Sequence, residues 1–120
     1  GVIQPLAAAA EQVRAAGGFV VADAVQAAGR MPLRPCALSA DALVLSAHKI
    51  GGPKGVGALV LTGSAGPAPL VRGGGQERGR RGGTENVAGI VAFGAAAEAA
   101  ARALDAEIAA MRLRRDAIEA

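Results

Sequence analysis

The chain has 120 residues, 52% hydrophobic and 19% charged, a balance that suits one globular domain and excludes a disordered chain. Its net charge of +3 rests largely on clustered arginines, which suits an anionic ligand without requiring a nucleic acid. Cys36 is the single cysteine. It excludes an internal disulfide and fits a reducing compartment, and with no leader pattern and no expected membrane span the cytoplasm is the default location.

Pro5 through Ala16 predicts a helix, with proline in the first turn, a run of alanines and a stop at Gly17-Gly18. Phe19 to Ala22 reads as a short strand buried on both faces, as in a parallel sheet. A crossover follows, with a short helix expected near residues 25–28 and a proline-containing turn from Met31 to Pro35. Ala42 to Leu45 is a second buried strand ending at Ser46, and Val56 to Leu61 a third. Residues 63–83 are rich in Gly, Pro and Arg and read as a functional loop. A long helix is expected from Thr84, with Thr84 as N-cap and Glu85 in the first turn. Its apolar stripe is Val87, Ile90, Gly94, Ala97, Ala101, Leu104, Ile108 and Met111, fraying at Arg114-Arg115. The order of elements is that of an α/β domain with its informative loops at strand ends.

Only Phe19 and Phe93 are aromatic, so the core is thin in large side chains. Gly1-Val2-Ile3-Gln4-Pro5 reads as the middle of a loop. Both features lead us to expect a segment of a longer polypeptide.

Asp23 and Lys49 each follow a buried strand, and their 26-residue separation suits a crossover between parallel neighbours. Both side chains then leave the same sheet edge. A carboxylate and an amine converging there match the needs of pyridoxal phosphate, whose ring nitrogen takes an acid partner and whose aldehyde takes a lysine. Singly, a turn aspartate and a solvated lysine would be the ordinary reading. Gln26, Ser46 and His48 add polar donors around the pair, and His48 is the chain's only histidine. Lys54 follows a glycine-rich stretch, but no Gly-Lys-Ser/Thr is present, so a Walker nucleotide site is not expected.

Three ordered blocks, Asp23-Ala24-Val25-Gln26, Ser46-Ala47-His48-Lys49 with Gly51-Gly52-Pro53-Lys54-Gly55, and Arg72-Gly73-Gly74-Gly75-Gln76-Glu77-Arg78 through Gly83-Thr84-Glu85-Asn86, resemble cysteine desulfurases of the class V aminotransferase family. The resemblance runs from Gly1 to about Ala100. It implies the large domain of a type I pyridoxal phosphate-dependent transferase, a mostly parallel sheet with flanking helices, for residues 1–103. Residues 104–120 would continue a long helix toward a small domain. By the same resemblance Lys49 is similar to the Schiff-base lysine, Asp23 to the partner of the ring nitrogen and Gln26 to the phenolic-oxygen contact. Ser46 and His48 resemble phosphate ligands, with His48 also beside the chemistry. Thr84 resembles the threonine that reaches the phosphate in the other subunit of a homodimer, which a helix N-terminus would favour.

The implied reaction removes sulfur from L-cysteine, giving L-alanine and an enzyme persulfide that passes to an acceptor such as an iron–sulfur scaffold. The family's nucleophilic cysteine lies beyond Ala120, and its upstream ring-stacking histidine, asparagine and glycine-threonine phosphate contact lie before Gly1. Cys36, in the crossover, is expected to be structural. Within the superfamily a selenocysteine lyase is the alternative. Outside it, Arg72 to Gly83 resembles an Arg-Gly-rich RNA-binding tract, but it lacks interleaved aromatic residues, so neither nucleic acid nor membrane is expected as a partner.

Overall fold

The computed structural model describes residues 2–34, 39–63 and 66–120. Helix α1 spans Leu6–Ala15. It ends where the expectation put it. Gly17 takes φ +74°, its N–H bonds the Arg14 carbonyl and that of Gly18 bonds Val13, the paired closure that satisfies a helix's last carbonyls.

Strand β1 is Val21–Asp23, β2 is Ala42–Ser46 and β3 is Gly57–Leu61, in the order β1-β2-β3. β1 and β2 are parallel, with Val21 opposite Ala42 and Asp23 opposite Val44. β3 returns antiparallel to β2, with Ser46 opposite Gly57. These strands therefore form a mixed sheet, one parallel and one antiparallel pair. β1 begins two residues later than expected, because Val20 gives its N–H to the Asp41 carboxylate and its carbonyl to Asp41 and Ala42. Asp23 is thus the last residue of the strand rather than the first beyond it.

Alternation along the strands places Ala22, Leu43 and Val60 on one face, where they pack with Ala10 and Leu6 of α1 and with Val20 and Ala40. That is the core, and no large side chain in it is fully enclosed. β1 is not buried on both faces as expected, since Val21 on the opposite face is 57% exposed. The buried character expected of β2 holds at its start, where Ala42 and Leu43 face opposite sides and are both buried.

The helix expected near residues 25–28 is instead a series of turns. Ala27 and Ala28 both bond the Ala24 carbonyl, and Arg30 and Met31 both bond Ala27. With two carbonyls shared in this way, no continuous ladder forms. The expected structural role of Cys36 lies outside the described residues.

Helix α3 spans Val87–Glu119. Its N-cap is Asn86, whose side chain accepts the Gly89 N–H at 3.1 Å, and not Thr84. The covered stripe ends after Met111, consistent with its expected fraying at Arg114-Arg115, while the helix itself continues, with Arg115 paired to Asp116 and Glu119 in the last turn. The covered side also differs from the expected stripe. It runs through Gly89, Phe93, Ala96, Ala100, Leu104, Ile108 and Met111, while Gly94, Ala97 and Ala101 are exposed. Alanine is apolar enough to satisfy either stripe, so packing decides.

One 18-residue window of α3 has mean hydropathy 1.5 with no more than two charged residues. An apolar stretch of membrane-spanning length is therefore present, contrary to the sequence expectation. Ala100 and Met111 of this helix nevertheless face the chain's own Lys49 turn across a groove.

Candidate active site

The end of β2 turns directly into a single 3-10 turn, Ala47–Lys49. Ala47 is fully buried. Its N–H bonds the Val56 carbonyl at 3.0 Å, and its own carbonyl accepts from Ile50 and Gly52. The backbone of the turn is therefore tied on both sides, while the side chains of Ser46, His48 and Lys49 remain available. Gly57 makes this close return possible. A Cβ there would stand 2.7 Å from the Leu45 carbonyl oxygen, so only glycine lets β3 approach β2 at this point.

Asp23 ends β1 beside this turn. The Val25 N–H donates to its Oδ1 at 2.9 Å, and the Ala24 N–H donates to the Val44 carbonyl. The carboxylate is thereby oriented through Oδ1, and among the described residues no hydrogen bond engages Oδ2. Asp23 pairs with Val44, and Ser46 lies two residues further along β2 on the same face. With strands ~4.8 Å apart and ~3.3 Å of rise per residue, Asp23 and Ser46 stand less than about 10 Å apart at their Cα atoms.

Ser46 Oγ and His48 Nδ1 are hydrogen-bonded at 2.9 Å. Lys49 makes no ion pair among the described residues. It is half-buried, lining a groove of about 380 Å³ with Gly29, Arg30, Ile50, Ala100 and Met111. Gln26 is exposed in the turns after β1, where its backbone carbonyl accepts a long 3.4 Å bond from Arg30. Asp23, Ser46, His48 and Lys49 thus share one end of the parallel pair, with Gln26 just beyond it.

Thr84 stands apart. It is exposed in the stretch before α3, and its carbonyl accepts from Arg81, which also bonds the carbonyls of Gly82 and Gly83. Among the described residues no hydrogen bond links Thr84 to the other five. Upstream of it the loop closes on itself. Gly82 donates to the Val71 carbonyl at 2.8 Å, and a Cβ on Gly82 would lie 2.7 Å from the Gly73 nitrogen. At its tip is one turn, α2, Gln76–Gly79, in which Glu77 and Arg78 take left-handed φ of 50° and 57°.

Arg30, and Glu107 of α3, also line the Lys49 groove and were not singled out from the sequence. Glu107 is 58 positions from Lys49, and no local pattern signals that they meet. Asn86 was legible, since Asn is a preferred N-cap.

The profile of the class-V aminotransferase family matches residues 1–118. The cysteine desulfurase of Bradyrhizobium diazoefficiens is 49% identical over 119 residues, covering 99% of this chain and 30% of that protein. Among solved structures, a NifS-like protein superposes with a TM-score of 0.82 at 42% identity, covering 88% of this chain and 29% of that one. The NifS-like protein from Rickettsia africae gives the same TM-score at 36% identity, with 87% and 29% covered. The chain spans about 30% of the length of the curated relatives it matches. Together with the sheet and strand-end geometry, these matches show that the chain belongs to the class-V aminotransferase family and forms part of a type I pyridoxal phosphate-type fold.

Proposed function

We propose that this chain supplies the pyridoxal phosphate site of a cysteine desulfurase. The observation that carries the proposal is the gathering of Asp23 and the Ser46–His48–Lys49 turn at one end of the β1/β2 pair. The donor set suits the cofactor. It offers an oriented carboxylate for a ring nitrogen, hydroxyl and imidazole groups for a phosphate, and an amine that forms no ion pair among the described residues for an aldehyde. The relatives named as cysteine desulfurases support the choice of reaction.

Pyridoxal phosphate, when bound, supplies an electron sink that weakens bonds at the carbons of an amino-acid substrate. Asp23 accepts a hydrogen bond from the ring nitrogen and keeps the proton there. Gln26 donates to the phenolic oxygen. Ser46 and His48 hold the phosphate, and Lys49 anchors the cofactor and carries a proton on Nζ when it is free. The overall change transfers sulfur from L-cysteine to a protein thiol. The C–S bond breaks, an S–S bond forms, and L-alanine leaves with the thiol's hydrogen. In this reading the receiving thiol, the homodimer partner that Thr84 serves and the acceptor protein lie outside this chain. Residues 104–120 carry α3 toward a second domain.

The test is to incubate the polypeptide that carries this chain with pyridoxal phosphate, reduce with borohydride and map the modified peptide. Label on Lys49 is expected. Label on Lys54, or none, overturns the reading.

A further inference from the structure

The Ser46–His48 hydrogen bond limits how many donors the pair can offer an anion. One hydrogen must lie between Oγ and Nδ1, which are 2.9 Å apart. A serine and a neutral imidazole carry two exchangeable hydrogens between them. With one spent on their mutual bond, a single outward donor remains, either the Nε2–H or the serine O–H but not both. An imidazolium carries one hydrogen more. Nδ1–H then donates to Oγ, and both the Oγ–H and the Nε2–H are free to donate.

Resting on the phosphate-ligand reading of these two residues, we propose that Ser46 and His48 act as a coupled pair that binds phosphate by taking up a proton from solvent onto His48. Neither residue is then an independent ligand. The anion's charge and the second donor both favour the protonated ring, and His48 holds the Ser46 hydroxyl hydrogen outward while contributing its own. The backbone tie of the turn through Ala47 keeps the two side chains in register.

Several other charges stand on the elements packed around this turn. They are Lys49 on the turn, Asp23 at the end of β1, Arg30 in the turns after it, Lys54 ahead of β3 and Glu107 on α3. All five are present in both the parent and a Ser46 variant, so their influence cancels in a ratio between the two.

The experiment measures, by calorimetry on the cofactor-free polypeptide, how much tighter pyridoxal phosphate binds than pyridoxal. That increment isolates the phosphate. It is compared for the parent, Ser46→Ala and His48→Ala at about pH 5 and about pH 9, which bracket the range where histidines titrate. A coupled pair offers two donors at the lower pH and one at the higher. Ser46→Ala should therefore cut the increment about ten-fold at the lower pH, the scale of one charge-assisted hydrogen bond. At the higher pH it should change it less than about two-fold, since His48 still supplies the single donor. His48→Ala should behave likewise, with the larger loss at low pH. The ¹⁵N shifts of the His48 ring should report a proton gained when pyridoxal phosphate is added near neutral pH.

Equal fold-losses for Ser46→Ala at both pH values, with no change in ring protonation, overturn the coupling and leave the cofactor reading intact if Lys49 is still labelled. A parent that shows no phosphate increment overturns both.

Discussion

The Ser46–Lys49 turn and the Arg72–Gly83 loop are both glycine-dependent and both carry basic residues, but they are held in opposite ways. The turn grows from a central strand, and its buried Ala47 is tied to Val56 in front and to Ile50 and Gly52 behind. The loop is closed at its neck by Gly82 on Val71, and its tip stores two non-glycine residues in left-handed conformation. Such residues persist where surrounding structure holds them. Here none of Arg72, Arg78, Arg80 or Arg81 forms an ion pair among the described residues. Groups at the strand end are positioned by the sheet, whereas those on the loop are positioned by the loop's own backbone, as Arg81 is by the Gly82, Gly83 and Thr84 carbonyls. That contrast matches the proposed roles, with Lys49 and Asp23 working within one subunit and Thr84 reaching another.

The sharpest way to break the comparison is at the lysines. Lys49→Ala should abolish borohydride-stable cofactor attachment, and Lys54→Ala should leave it near the parent level; the readout is the mass of the labelled peptides. Equal loss in the two variants would mean that the turn as a whole, and not one amine, holds the cofactor.

Next in size is a pair of glycine substitutions, each of which would bring a methyl against neighbouring backbone. Gly57→Ala puts a methyl 2.7 Å from the Leu45 carbonyl, and Gly82→Ala puts one 2.7 Å from the Gly73 nitrogen. In the sheet the backbone cannot give way without losing β2–β3 pairing, so Gly57→Ala should cost about 1–3 kcal/mol in chemical denaturation. In the loop the neck can open locally. Gly82→Ala should cost less than about 0.5 kcal/mol globally while speeding amide exchange at residues 71–83. Comparable global losses would show that the loop is as firmly integrated as the sheet. Glu77→Gly addresses the loop from the other side. It relieves about 1–2 kcal/mol of left-handed strain, partly offset by the entropy glycine loses. The expected result is slower exchange around residues 76–79 with an almost unchanged melting temperature.

The same contrast explains what was legible in the sequence. α1, β2 and the Ser46–Lys49 turn follow from local signals: an alanine run ended by Gly17-Gly18, a short apolar stretch, and a polar cluster ahead of paired glycines. Where the structure departs, a nonlocal partner decides. β1 starts late because Asp41, 21 residues from Val20, takes the Val20 N–H. The covered face of α3 is shifted because its alanines satisfy more than one helical stripe and the Lys49 turn selects among them. Thr84 and Asn86 both have N-cap chemistry, and only the position of Gly89 against the Asn86 side chain chooses between them. The placement of Asp23 and Lys49 at one end of the β1/β2 pair was readable because parallel strands joined by a crossover end on the same edge, a topological rule rather than a contact.

The smallest expected effect lies at the junction that fixes β1 and, through it, Asp23. The Asp41 carboxylate accepts the Val20 N–H at 2.8 Å and pairs with Arg14 of α1 at 2.8 Å. The Val20 hydrogen bond holds this carboxyl below its ordinary range against the opposing effect of desolvation, and the Arg14 guanidinium adds a smaller lowering through its hydrogen bond and charge. A carboxyl whose folded value is depressed contributes stability above its unfolded value, about 3.9, and loses it as pH falls through the folded value. Asp41→Asn keeps the shape and the acceptor but removes the charge. The variant should therefore melt slightly below the parent near neutral pH, and the gap should close in acid as the parent's carboxyl is protonated. A gap that persists unchanged to low pH would assign the role of Asp41 to hydrogen-bond geometry alone. The ion pair with Arg14 would then contribute nothing to holding α1 against the strand that carries Asp23.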